Sequence, residues 1–251
     1  MVEKIIYDIG SNNGDDIPYY LLKADKVVAV EANPDLARGI EQRFAKEILS
    51  GCLFVENCVI TVDSSAKAVP FYIHKTNHVQ SQFLAPPPGS DLFQEVLLPS
   101  KNIIEIIERH GKPYYIKIDI EGYDQYVLKH LFLHSIRPPY ISAESHSIDI
   151  FCWLVSLGEY SAFKLVDGHS ISTKYADHSI DSLGGKIKYA FPYHSAGPFG
   201  NDIGGRWMTR DIFFSLLAYA KLGWKDIHAS NVDAPDQQYA PQPVVSISIN
   251  F

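Results

Sequence analysis

The run YIKIDIEGYD, Tyr115–Asp124, alternates so that Ile116, Ile118 and Ile120 fall on one face of a strand and Lys117, Asp119 and Glu121 on the other. A later run ending AESH sets Glu144 and His146 two residues apart, again on one face if extended. Carboxylates and an imidazole at neighbouring strand ends are the groups that take a proton from a reacting hydroxyl near neutral pH. The proton acceptor is expected among Asp119, Glu144 and His146. Glu121, just before Gly122, is expected to bind a substrate hydroxyl, with helix capping or ion pairing as the alternatives. An Asp and a Glu at adjacent strand ends also suit a divalent cation, but the metal-free mechanism ranks higher and no metal ligand is assigned. Lys117 lies deeper in its strand. It is expected to pair with Asp8 or Asp119, because an unpaired charge within a covered sheet is costly.

A second constellation is DIGSNNG, Asp8 to Gly14, between a β-branched run and a helical one. Gly10 and Gly14 allow a sharp turn and a close backbone approach to a ligand, but the spacing is not the G-x-G-x-x-G of dinucleotide binders. The leading acid, Asp8, would repel a pyrophosphate and attract an ammonium group. S-adenosyl-L-methionine carries such an ammonium and a sulfonium as well. Glu31 closes the next strand twenty-one residues after Gly10, the separation at which an acid accepts hydrogen bonds from ribose hydroxyls. Asn57 and Cys58 follow the third strand, where an amide and backbone groups can meet adenine. The expected cofactor set is therefore Asp8, Gly10, Ser11, Asn12, Asn13, Gly14, Glu31, Asn57 and Cys58.

The elements that must position these groups follow from apolar periodicity. Strands are expected at residues 4–9, 27–30, 53–55, 59–62, 69–73, 115–120, 140–143 and 163–166, and helices at 17–22, 34–49, 102–108, 123–134, 148–157 and 209–222. Strands alternating with helices imply a mostly parallel sheet covered on both faces, whose ligands gather beyond the carboxyl ends of the strands. Residues 75–99 and 167–206 read as loops, and 244–251 as a terminal strand. Within the second loop His169, His178 and His194 stand among Tyr175, Tyr189, Phe191, Tyr193, Phe199 and Trp207. Such rings can pack on a sugar's apolar face, or form a small satellite core. Arg206 and Arg210 would suit an anionic acceptor or simply the surface.

The 251 residues carry a net charge of -7 and a pI near 5.8, with no cluster of Lys and Arg, which argues against nucleic acid as a partner. With 46% hydrophobic and 12% aromatic residues the chain is expected to pack as one domain, residues 1–166 forming the cofactor core and 167–251 the substrate loop and closing elements. Cys52, Cys58 and Cys152 lack metal or redox spacing and are expected as buried thiols. No run of eighteen apolar residues suggests membrane insertion, and a cytoplasmic protein or a piece of a larger one is expected.

YDIGSNNGD, VVAVEANP and especially IKIDIEGYDQYVL together resemble the FkbM family of S-adenosylmethionine-dependent methyltransferases, over roughly residues 5–166. The resemblance implies an α/β, Rossmann-like class I methyltransferase fold with a seven-stranded, mostly parallel sheet, one antiparallel strand, and helices on both faces. It implies methyl transfer from S-adenosyl-L-methionine, leaving S-adenosylhomocysteine, to a hydroxyl of a sugar or of a polyketide-type small molecule. It places Asp8, Gly10, Asn12, Gly14 and Glu31 at the cofactor, and adds Asp119 to the expected cofactor set, beside the reaction centre. GPFGND, Gly197 to Asp202, is similar to a segment of some sugar-modifying relatives. A nicotinamide-dependent oxidoreductase lacks its glycine signature here. A noncatalytic module of a larger glycan-processing protein remains the alternative from outside enzymology.

Overall fold

Four stretches of β-branched residues in the first 120 positions pair at the centre of the molecule, and their order decides where a ligand can sit. The computed structural model describes residues 3–63 and 65–236. Strand β1 (Ile5–Ile9) leads through the glycine turn to α1 (Ile17–Lys23), and β2 (Lys26–Val30) to α2 (Pro34–Arg43), α3 (Ala45–Leu49) and β3 (Leu53–Glu56). Then come β4 (Val59–Thr61), β5 (Ala68–His74), β6 (Phe93–Asn102) and α4 (Ile103–His110). The central motif forms β7 (Tyr115–Ile118) and α5 (Asp124–Leu133), followed by β8 (Tyr140–Ser145), α6 (Ile148–Ser156), β9 (Ala162–Asp167) and α7 (Ile171–Lys174). A hairpin, β10 (His178–Ser182) and β11 (Gly185–Tyr189), precedes α8 (Arg210–Ala220) and β12 (Gly223–Ser230).

The main sheet has seven strands in the order β3-β2-β1-β7-β8-β12-β9, with β12 alone antiparallel. This is the class I methyltransferase arrangement. The chain winds outward from β1 to β3 and returns to lay β7 on the other side of β1, so the ends of β1 and β7 flank the strand-order reversal where α/β sheets bind ligands. Two apolar cores cover the faces. In one, α4 contributes the 0% exposed Ile103 and Ile106, each stabilising by about 1.5–3 kcal/mol. Asn102 caps that helix by accepting from Ile104 N, and Gly111, at φ 111°, ends it.

Strand register threads a buried polar row through the sheet: Asp8 lies beside Lys117, Lys117 beside Ser142, Ser142 beside His228 and His228 beside Lys164. Such a row is costly to bury unless its groups are paired, and here the pairing is partial, since His228 Nε2 has no hydrogen-bond partner among the described residues. Tyr115 and Ser142 share a hydroxyl hydrogen bond of 2.7 Å, and Lys164 donates to Ile203 O at 2.6 Å.

Several expectations need correction. The helix expected over 34–49 is two helices, because Phe44 leaves helical geometry (φ -114°, ψ 30°) as its ring turns into the core. Residues 93–99, expected as loop, belong to β6, which pairs antiparallel with β5; Pro99 and a mostly exposed face masked the strand pattern. Residues 167–206 contain α7 and the β10–β11 hairpin, whose second strand alternates only over Lys186–Tyr189 and buries neither face. The seventh strand, β12, was not foreseen, and the strand expected at 244–251 lies outside the described residues. Cys58 is buried as expected, but Cys52 is only partly so and Cys152 is exposed. Among the described residues no helix is long and apolar enough to cross a membrane.

Candidate active site

A cleft of about 460 Å³ opens over the carboxyl ends of β1, β2, β7 and β8. Its first wall is the β1–α1 turn. Gly10 stands at φ 84°, and a Cβ there would come within 1.8 Å of the Asp119 carbonyl oxygen, so only glycine lets the two strand ends meet. Gly10 N and Ser11 N both donate to Val30 O, tying the turn to β2. Asn12 is left-handed (φ 50°) and donates its N–H to Glu31 Oε2 at 2.7 Å, while Asn33 N donates to Glu31 Oε1 at 2.8 Å. Burial pushes Glu31 up to about 7, against those two hydrogen bonds. Asn12 Oδ1 is buried without a hydrogen-bond partner among the described residues.

Of the residues expected around a cofactor, Gly10, Asn12, Glu31, Cys58 and Asp119 line this cleft. Asp8, Ser11, Asn13, Gly14 and Asn57 do not. Gly14 instead fits against Ile17, Ile40 and Phe44, and Asn57 Nδ2 donates to Glu31 O and Ala32 O. Ser11 Oγ donates to Asp8 O, and Asn13 bonds to Asp15. These five shape the wall from behind.

Beneath the cleft lies Lys117, 4% exposed, which donates to Gly10 O at 2.8 Å and stands 3.3 Å from Asp119 Oδ2 and 3.5 Å from Asp8 Oδ1. The expected pairing is met with both carboxylates. Burial works to lower the lysine, but Asp119, Asp8, Asp16 and Asp226 hold it well above its usual range. One ammonium thus serves several buried acids, and burial raises Asp8 and Asp226 in turn. The floor is short of positive charge, which suits a cationic ligand.

The second wall holds Glu121, Glu144 and His146, brought together as their spacing suggested. His146 Nε2 lies 2.7 Å from Glu144 Oε2 and 3.8 Å from Glu121 Oε2, with the imidazole one-third exposed. The hydrogen bond to Glu144 raises His146 to about 9 despite burial, and burial raises Glu144 to about 7 and Glu121 to about 8. Glu121 pairs rather than caps: the N-cap position of α5 is Tyr123, without a side-chain bond. Glu121 sits at φ 52°, a left-handed geometry sparsely used outside glycine, held by the turn into Gly122. One ligand atom from each of Glu121, Glu144 and His146 lies within 4.8 Å of the others, a donor set compatible with a divalent cation.

The aromatic late segment divides. Tyr175, Phe191, Phe199 and Trp207 are buried in the second core that covers the sheet, rather than in a small satellite one. His178 bonds to Asp202 O, and His169 packs edge-on against Trp224. Only Tyr193 and His194 from this group line the cleft. In GPFGND, Asp202 accepts from Tyr19 and Lys23 and holds elements together. Arg206 and Arg210 pair on the surface with Asp236 and Asp211. Sequence reasoning missed Trp224, which lines the cleft from the start of β12, and Phe71, His78, Gln80, Ser81 and Phe83 from β5 and the loop after it. A tryptophan directly after an expected helix carries no motif, so nothing marked it.

A family model described as the methyltransferase FkbM domain matches residues 8–164, more than half of the chain. No curated protein matches it. Among solved structures, the chain is similar to an FkbM methyltransferase from Methylobacillus flagellatus KT, at 16% identity and TM-score 0.43, over 66% of this chain and 40% of that one. A SAM-dependent O-methyltransferase from Thermotoga maritima is 9% identical, with TM-score 0.39, over 94% of this chain and 62% of that one. A precorrin-6y C5,15-methyltransferase from Geobacter metallireducens GS-15 is 9% identical, with TM-score 0.38, over 90% and 79%.

Proposed function

Since this chain belongs to the FkbM methyltransferase family, whose methyl donor is S-adenosylmethionine, we propose that it methylates a hydroxyl oxygen of a carbohydrate, as a single catalytic unit in the cytoplasm. The observation that carries this reading is the Glu144–His146 hydrogen bond in the cleft, 2.7 Å long, beside Asp119. A sugar hydroxyl is a poor nucleophile until its proton has somewhere to go.

The residues present fit the donor. When bound, S-adenosylmethionine supplies an electrophilic methyl carbon on a positively charged sulfur. Asn12 Oδ1, buried and unpartnered, would accept from its ammonium, and the carboxylates of Glu31 and Asp119 would hold its polar groups. Asp8 and Lys117 fix the turn that presents these groups. Gly10 holds that turn against Asp119, so donor and acceptor walls keep a fixed spacing. The Glu144–His146 pair takes the hydroxyl proton, and Glu121 orients the acceptor. Polar Gln80 and Ser81 and aromatic Tyr193 in the same cleft support a sugar over a wholly apolar product.

Incubating the chain with labelled S-adenosylmethionine and a glycan panel, followed by mass spectrometry, tests the proposal. The expected result is a methylated glycan. Transfer only to a polyketide-type or other non-carbohydrate hydroxyl would reject the substrate class and leave the chemistry standing. Failure of S-adenosylhomocysteine to bind in calorimetry would favour a noncatalytic module. Activity lost with chelator and restored by magnesium would show that Glu121, Glu144 and His146 act through a cation rather than by proton transfer.

A further inference from the structure

Resting on the carbohydrate reading above, we infer that Trp224 is the stacking platform of the acceptor subsite, its indole face taking the apolar face of a sugar ring. Trp224 is half-buried and lines the cleft on the side of Glu144 and His146. It lies within the irregularity in strand register between Gly223 and Asp226, so the backbone there departs from the regular pairing with β8 that resumes at Asp226. Gly223 is anchored by Ser145 Oγ, which donates to its carbonyl at 2.9 Å.

The ring is held by built contacts. His169 meets it edge-on at 4.7 Å and 77°, and Tyr193 at 5.4 Å and 74°. Gly168 lies beneath it: a Cβ at that position would fall 2.5 Å from two ring atoms, so the indole's approach requires glycine there. The indole N–H makes no hydrogen bond within the described residues, although buried indoles usually find one. A supported aromatic face with a spare donor at its edge, beside a proton-accepting pair, matches a sugar's apolar face and hydroxyl rim. Gly168 and His169 act as positioning residues, because they touch the ring and do not line the cleft.

The chain has three tryptophans. Trp207 is buried in the second core, and Trp153 sits on α6 beneath Lys129, so Trp224 is the cleft's fluorophore. Methyl glycosides of the common hexoses and deoxyhexoses serve as probes, read by methyl transfer and by intrinsic fluorescence. Trp224→Ala is expected to raise KM for an accepted glycoside about ten- to hundredfold, with kcat and S-adenosylhomocysteine affinity little changed. Trp224→Phe should restore most of the KM while abolishing the fluorescence response, and Gly168→Ala should resemble Trp224→Ala. If glycosides are methylated and the KM of Trp224→Ala stays at the wild-type value, or the fluorescence response survives in Trp224→Phe, the platform is overturned and the carbohydrate reading stands. If the wild-type chain neither methylates a glycoside nor responds to one, the carbohydrate reading falls and the platform with it.

Discussion

The two walls of the cleft are built on different principles. The donor wall is nearly contiguous: Gly10 and Asn12 come from one turn, and Glu31 closes the neighbouring strand and holds both Asn12 N and Asn33 N. The acceptor wall gathers Glu121 from the exit of β7, Glu144 and His146 from that of β8, Tyr193 from the late segment and Trp224 from β12. Backbone geometry fixes the first wall, whereas side chains delivered by separate segments make the second. On the proposed reading, donor binding is a property of a short motif, and acceptor choice can change by altering loops while the sheet is untouched.

The sharpest separation of the walls is expected from His146→Gln, which keeps a hydrogen-bonding group beside Glu144 but accepts no proton. Transfer should fall by about 10²–10⁴ in kcat with S-adenosylhomocysteine affinity unchanged. In the wild type the rate should rise with pH toward about 9, where the pair gives up its shared proton, and that limb should vanish in the variant. Near-wild-type turnover would move the proton to Asp119.

Lys117→Ala ought to blur the distinction, because the lysine lies under both walls. Removing the one ammonium among Asp8, Asp16, Asp119 and Asp226 should destabilise the fold by about 3–5 kcal/mol in urea unfolding. An unchanged midpoint would mean those acids are neutral without it.

Glu31→Gln tests the donor wall alone. Its amide nitrogen must face one of two backbone N–H groups, so S-adenosylhomocysteine affinity should weaken about ten- to hundredfold, or about 1.4–2.8 kcal/mol, with KM for the acceptor unaltered. A shift in the acceptor KM instead would break the proposed independence.

The mildest effect concerns pH and the folded chain without cofactor. Asp16, Glu31 and Glu144 are raised to about 7, Glu121 to about 8 and Asp124 to about 6, chiefly by burial. Between about pH 4, where unfolded carboxyls ionise, and those values the folded chain binds more protons, so stability falls as pH rises. His146, raised to about 9, contributes in the same sense, its stabilisation being lost as pH climbs through that value. His228, lowered to about 3 by burial, and His130, also lowered, act oppositely below the unfolded histidine value. Thermal unfolding by circular dichroism should show Tm about a few degrees lower at pH 8 than at pH 6. A higher Tm at pH 8 would contradict the assignment of raised carboxyls.

Much of the fold was legible where local pattern and burial agree. The β1 turn, the strand at Ile116 and the isoleucine stripe of α4 are readable because one short segment decides each. Asp119, Glu144 and His146 were legible for the same reason, since each ends a strand whose alternation is visible. β6 was hidden because Pro99 interrupts a mostly exposed strand, and the β10–β11 hairpin because its five-residue strands bury little but Ile180.

By itself the sequence determined the alternation of strands and helices, the glycine turn and the charges at the ends of β1, β7 and β8, because these depend on residues close together in the chain. Tertiary structure alone decided which groups face the cleft. Asp8 and Asn57 went behind the donor wall, four expected aromatics went into a core, and Trp224 entered the site, because strand register and the crossing of β12 between β8 and β9 set those positions.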